Sequence, residues 1–119
     1  MVAVSLAPHS AHHPEDRMHM ATADSAVLTA PERVVSDNRA EFRKVALEFI
    51  ERASNEEGKV AAIDLGQTAE VDASGLGILV LVQKRAKELG VHLTLRKVPT
   101  QVRYLLLLTK LDHLFEFVD

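Results

Sequence analysis

Val60-Ala-Ala-Ile-Asp-Leu65, Gly66-Gln-Thr-Ala-Glu70, Val71-Asp72-Ala73-Ser74-Gly75-Leu76-Gly77 and Ile78-Leu-Val-Leu-Val82 run consecutively, and a charged segment follows to Leu89. The first piece is a short apolar run bounded by turn residues, which predicts a buried strand. The second is a polar loop. The third is a turn of small residues opening a helix from about Ser74 to Leu89, and Gly90 is placed to end that helix in a left-handed conformation. Val91-His-Leu-Thr-Leu95 then alternates as a second strand, with Val91, Leu93 and Leu95 inward and His92 outward. Strand, helix and strand at this spacing make a βαβ unit, so the two strands should be parallel with a right-handed crossover.

Upstream, Phe42, Val45, Ala46, Phe49, Ile50 and Ala53 fall on one stripe of an amphipathic helix over Glu41 to Ala53. Ser36, Asp37 and Asn38 are candidate N-caps, and Asn38 with Glu41 three residues on resembles a capping box. Ser54 to Gly58 is a polar turn. Met18 to Thr22 and Ala26 to Thr29 read as a short hairpin about Asp24-Ser25, stopped by Pro31. Downstream, Pro99 or Thr100 opens a third helix with Val102, Leu105, Leu106 and Thr109 inward and Tyr104, Leu107 and Leu108 widening its apolar surface. Lys110 to His113 turns the chain, and Leu114 to Val118 is a last strand. The expected class is α/β: a small mixed, mainly parallel sheet with helices packed mostly on one face.

Length and composition bound the function. With 119 residues the chain holds one domain, over residues 17–119, preceded by an N-terminal tail over 1–16 without periodicity. A net charge of −3 argues against a broad nucleic-acid footprint. The absence of cysteine removes disulfides and thiolate metal sites. His9, His12, His13 and His19 form a cluster, but a leader that would lose much chain entropy on chelating reads as tail rather than as a metal site. The apolar run Leu76 to Val82 falls well short of the ~20 residues a spanning helix needs, and the N-terminus lacks the pattern of a secretory signal. A soluble, cytoplasmic protein without cofactor, metal, nucleic acid or membrane insertion is expected.

The turn Asp72-Ala73-Ser74-Gly75-Leu76-Gly77 is the candidate site. Unpaired N–H groups and the partial positive charge of the helix start meet a hydroxyl there. A dinucleotide fingerprint fails, because Val80 stands at the third glycine position and a polar loop separates the strand from the glycines. A Walker loop has no Gly-Lys-Ser/Thr run. The hydrolase elbow Gly-x-Ser-x-Gly has Asp72 and Leu76 at its glycine positions, and only His92 or His113 remains to serve Ser74. The plain reading of Ser74 is a helix-capping hydroxyl. Leu76 to Val82 leaves no polar face, and burial in the fold accounts for about half of these side chains. The remainder suggests a partner surface beside the turn.

These pieces resemble the STAS domain, found in anti-sigma-factor antagonists and at the cytoplasmic ends of sulphate transporters. The resemblance rests on Ile63-Asp64-Leu65, Val71 to Gly77, Lys84-Arg85-Ala86 and Gly90. It continues through Pro99, Val102-Arg103, Leu105-Leu106, Leu111 and Leu114-Phe115, and covers about Ala26 to Asp119. It implies a non-enzymatic role: binding an anti-sigma factor that is itself a serine kinase, with phosphorylation of a serine in the turn as the release signal. The family's acceptor is usually the residue after the aspartate, and here that residue is Ala73. Either Ser74 takes the phosphate, or the usual phospho-switch is missing and binding is constitutive or regulated elsewhere. Lys110 stands where the family often has glycine, and the sequence stops where the family adds a C-terminal helix. Two other roles fit the sequence: a STAS accessory subunit on the ATPase of a lipid-transport system or in a stress-sensing assembly, and a small serine-dependent enzyme.

Overall fold

The computed structural model describes residues 26–118, so the N-terminal tail, its histidine cluster and the Met18 to Thr22 strand lie outside the described residues. Ala26–Thr29 (β1) leads to a two-residue strand, Arg33–Val34 (β2), and a 3-10 turn at Ser36–Asn38. Arg39–Ser54 is the first helix (α1), Val60–Asp64 the next strand (β3), and Glu70–Val71 a second two-residue strand (β4). Ala73–Glu88 (α2), His92–Arg96 (β5), Thr100–Leu108 (α3) and Glu116–Val118 (β6) follow.

The main sheet has the order β1-β3-β5-β6, and each described pair is parallel. β1 therefore pairs with β3, Leu28 opposite Ile63. The antiparallel hairpin partner expected for it falls outside the described residues. β2 and β4 form a separate parallel pair with Arg33 opposite Glu70 and Val34 opposite Val71. From the sequence Glu70 reads as loop and Val71 as turn, and Arg33–Val34 carries no assignment, because two residues are too few to show a period.

Alternation along the strands puts Leu28, Ala61, Ile63, Leu93 and Leu95 in the core. There they meet Phe42, Phe49 and Ile50 of α1, Leu79 and Val82 of α2, and Val102 and Leu106 of α3. The helices cover this face. The expected stripe of α1 is buried as read, with Val45 half-buried.

The start of α1 differs from its expected form. Asn38 precedes the helix but its side chain turns backward: Oδ1 accepts from the Val35 N–H at 3.0 Å, and Nδ2 donates to the Arg33 carbonyl at 2.7 Å. No side-chain cap bonds the helix. Asn38 instead fastens the 3-10 turn to β2. The far ends of α2 and α3 are alike. Gly90 has φ 73°, its N–H reaches the Lys87 carbonyl, and the Val91 N–H reaches that of Ala86. Lys110 has φ 60°, with the same pair of bonds from Lys110 and Leu111 to Leu107 and Leu106. Both are Schellman ends, and both need a left-handed residue after the cap.

Candidate functional site

The loop between β3 and α2 is stitched to the segment between β1 and α1. Asp64 first bends the chain, its Oδ1 accepting from the Gly66 N–H at 2.7 Å. Gln67 then donates to the Ala30 carbonyl, and the buried Thr68 hydroxyl donates to that of Pro31 at 2.8 Å. The Ala69 and Glu70 N–H groups both reach the Glu32 carbonyl. Arg33 pairs with Glu70 at 2.9 Å outside this ladder. Leaving the Thr68 hydroxyl unpaired at this depth would cost about 1–3 kcal/mol, which favours the conformation that places Asp72 beside the Ser36 turn.

Asp72 is the N-cap of α2, with extended backbone. Its Oδ1 accepts from the Gly75 N–H at 2.9 Å, and its Oδ2 from the Ser36 N–H at 3.0 Å. One carboxylate thus caps the helix and clamps the turn preceding α1. The Gly75 bond, then the Ser36 bond, hold its pKa below the usual carboxylate range. The capping group is therefore Asp72 and not the Ser74 hydroxyl. Ala73 and Ser74 are the first two residues of the helix, Ala73 exposed and Ser74 half-buried.

The two glycines of the turn have different reasons. A Cβ on Gly75 would lie 1.9 Å from the Val34 carbonyl oxygen, so α2 rests its first turn on the backbone of β2. A Cβ on Gly77 would meet nothing within 4 Å. Leu76, Ile78, Leu79 and Val82 are buried, while Gly77, Leu81 and Lys84 are exposed and Val80 is half-buried. With Ala73 they trace the outer face of α2. Burial claims more of the apolar run than the half expected: four of its six side chains are buried, Val80 is half-buried and Leu81 alone is exposed.

Ala73 and Gly77 are the exposed residues of the corner. A cleft of about 310 Å³ opens near the Ser36 turn, among Glu32, Arg33, Asp37 and Glu41, and no residue from Asp72 to Gly77 lines it. His92 and His113 lie at the other end of the sheet from Ser74. Ser74 starts α2, whereas His92 begins the strand after it, and the 16-residue helix between them is ~24 Å long. His113 sits in the 3-10 turn that feeds the start of β6. The His92 ring faces Glu116 at 3.0 Å. Among the described residues no group of three or more His, Asp or Glu side chains is placed to hold a metal ion, and no helix is long and apolar enough to cross a membrane.

Ser36 and Val34 receive the turn; from the sequence Ser36 reads only as a candidate helix cap, and nothing marks Val34. Gly75 carried a signal of close backbone approach, but nothing local says that its neighbour stands some forty residues earlier.

Residues 18–118 match the family model described as "Mlab, STAS domain". Among solved structures, the chain is similar to a Thermotoga maritima protein proposed as an anti-sigma factor antagonist, at 22% identity and a TM-score of 0.68, over 82% of this chain and 81% of that one. It is similar to the unphosphorylated anti-sigma factor antagonist SpoIIAA at 12% identity and a TM-score of 0.63, over 84% of each chain. A sulfate transporter family protein from Wolinella succinogenes matches at 19% identity and a TM-score of 0.61, over 79% of this chain and 76% of that one. At these identities the likeness bears on the fold.

Proposed function

The chain belongs to the STAS domain family, and from that premise we propose that it is a non-enzymatic regulatory binding module, an anti-sigma-factor antagonist. Its partner is an anti-sigma factor of the kinase type, bound through Asp72, Ala73, Ser74, Gly75, Leu76 and Gly77. The carrying observation is the form of the corner: a small-residue helix start, fixed from behind by Asp72 and Gly75, with Ala73 exposed and Ser74 within reach of solvent. Small-molecule chemistry favours concave sites, and the cleft beside the Ser36 turn is not lined by this corner.

A phosphate in this turn would bring nearly two negative charges beside Asp72, and burying them in an interface is costly. Ala73 cannot carry one. Binding is then constitutive, or controlled elsewhere, unless Ser74 accepts the phosphate. Incubation with the kinase-type anti-sigma factor and ATP, followed by mass mapping, decides between these: the expected result is no phosphate on the turn, and phosphate on Ser74 would overturn constitutive binding. Capture from native cells tests the partner class, with an anti-sigma factor expected.

A second reading is another role within the same family, the STAS accessory subunit of a lipid-transport ABC ATPase or of a stress-sensing complex. The same capture would then return an ATPase. A serine-dependent enzyme is disfavoured by the separation of Ser74 from His92 and His113. For a binding module, Ser74→Ala weakens partner affinity at most; for an enzyme it would abolish turnover.

A further inference from the structure

The most exposed large apolar side chains among the described residues are together on one short helix. Tyr104, Leu107 and Leu108 of α3 are 60%, 58% and 60% exposed, against 36% for Leu81 and 37% for Val118. The opposite face of α3 is anchored through Val102 and Leu106, so the trio is held outward and has no route into the core. Residues 96–110 also carry Arg96, Lys97, Arg103 and Lys110 with no aspartate or glutamate, in a chain whose net charge is −3. Arg103 lies beside the apolar face, its guanidinium 4.5 Å over the Phe117 ring. Lys97 and Lys110 bracket the helix, and both hold left-handed backbone, φ 54° and 60°. Such positions favour glycine, so a cation stands at each end of α3 where glycine would be less strained.

We propose that the outer face of α3 docks on an anionic lipid surface. The helix lies flat at the interface, with Leu107 and Leu108 entering the acyl boundary and Tyr104 at headgroup depth. Arg103 and Lys110 pair with lipid phosphates. At such an interface apolar residues give depth, and flanking cations give attraction to anionic leaflets. Charge complementarity selects the occupant: the exposed leucine pair is flanked by Arg103 and by Lys97 and Lys110 at the two ends of α3, with Asp112 beyond Lys110 the nearest acid in sequence, and that balance matches an anionic bilayer. The proposal does not depend on the corner at Ser74, which lies on another helix.

Co-sedimentation of the full chain with vesicles tests it. Binding is expected to vesicles of equimolar phosphatidylcholine and phosphatidylglycerol, weakening as salt rises, and not to phosphatidylcholine alone. The exposed pair Leu107→Ser with Leu108→Ser should leave the circular dichroism unchanged and keep the protein in the supernatant. Arg103→Gln with Lys110→Gln should weaken binding about thirtyfold, the loss expected for two interfacial cations. The proposal is overturned by equal binding to both vesicle types, by no binding of the native chain, or by a double-serine variant that sediments as the native chain does. A concentration-dependent dimer in analytical ultracentrifugation that the double-serine variant abolishes would also overturn it, since a second copy would then cover the face.

Discussion

Asp72 carries two tasks with one side chain, and its charge has a measurable consequence. Because its pKa is lowered in the folded state, chiefly by the Gly75 N–H and then by that of Ser36, ionised Asp72 stabilises the fold. That contribution is fully present above the unfolded carboxylate value of about pH 4 and is lost as pH falls through the lower folded value. Asp72→Asn retains a capping oxygen but no charge. Urea midpoints of the two proteins should differ most above about pH 4 and converge on acidification; a gap that stays constant with pH would contradict the clamp. Lys110 offers the opposite case, a residue opposed by its own backbone. At φ 60° a side chain costs on the order of 1 kcal/mol relative to glycine, so Lys110→Gly should raise stability by about that amount in urea unfolding. The resemblance marks Lys110 as standing where the family often has glycine, and the Schellman end of α3 supplies the left-handed backbone that makes a side chain costly there.

At the level of the element, the first turns of α2 hold two glycines that should respond in opposite directions. Gly75→Ala drives a methyl into the Val34 carbonyl, a rigid backbone atom, and should cost about 1–3 kcal/mol. Gly77→Ala adds a methyl in open space inside a helix and should stabilise by about 1 kcal/mol. Thermal unfolding of both variants reads the contrast, and a destabilised Gly77→Ala would mean that the outer face of α2 is occupied in the isolated chain. If a partner's backbone approaches that face closely, the same methyl lowers affinity while raising Tm, a combination that a purely structural glycine does not give. The helices were legible because 3.6-residue periodicity survives in Phe42 to Ala53 and because Gly90 marks an end. Their starts were less so. Asn38 and Ser74 have the residue types of caps, but tertiary partners decide which oxygen faces which N–H: Asn38 is taken by Arg33 and Val35, and Asp72 stands ahead of Ser74.

For the whole molecule, topology was readable where single strands are long enough to alternate, as in β3 and β5, and unreadable where two residues suffice, as in β2 and β4. That small sheet is what aims the corner, so the sequence located the turn but not the support behind it. The support is continuous with the core: Val34, Leu76 and Leu79 share one cluster with Phe42 and Phe49, which bind α1 to the sheet. The corner should therefore be no more stable than the domain. Phe42 is fully buried, and Phe42→Ala should cost about 3–5 kcal/mol, a large part of the ~5–15 kcal/mol typical of a domain. Far-UV circular dichroism and methyl NMR signals from Leu76 and Ile78 should then be lost in one coincident transition at lower urea, although Phe42 lies in α1 and these residues in α2. Separate transitions would show that the corner folds apart from the core. A partner that binds only the folded form at a hundredfold excess over Kd returns about 2.7 kcal/mol. Partner binding should thus recover much of the stability that Phe42→Ala removes, because the variant lacks no contact surface and only populates its folded form less.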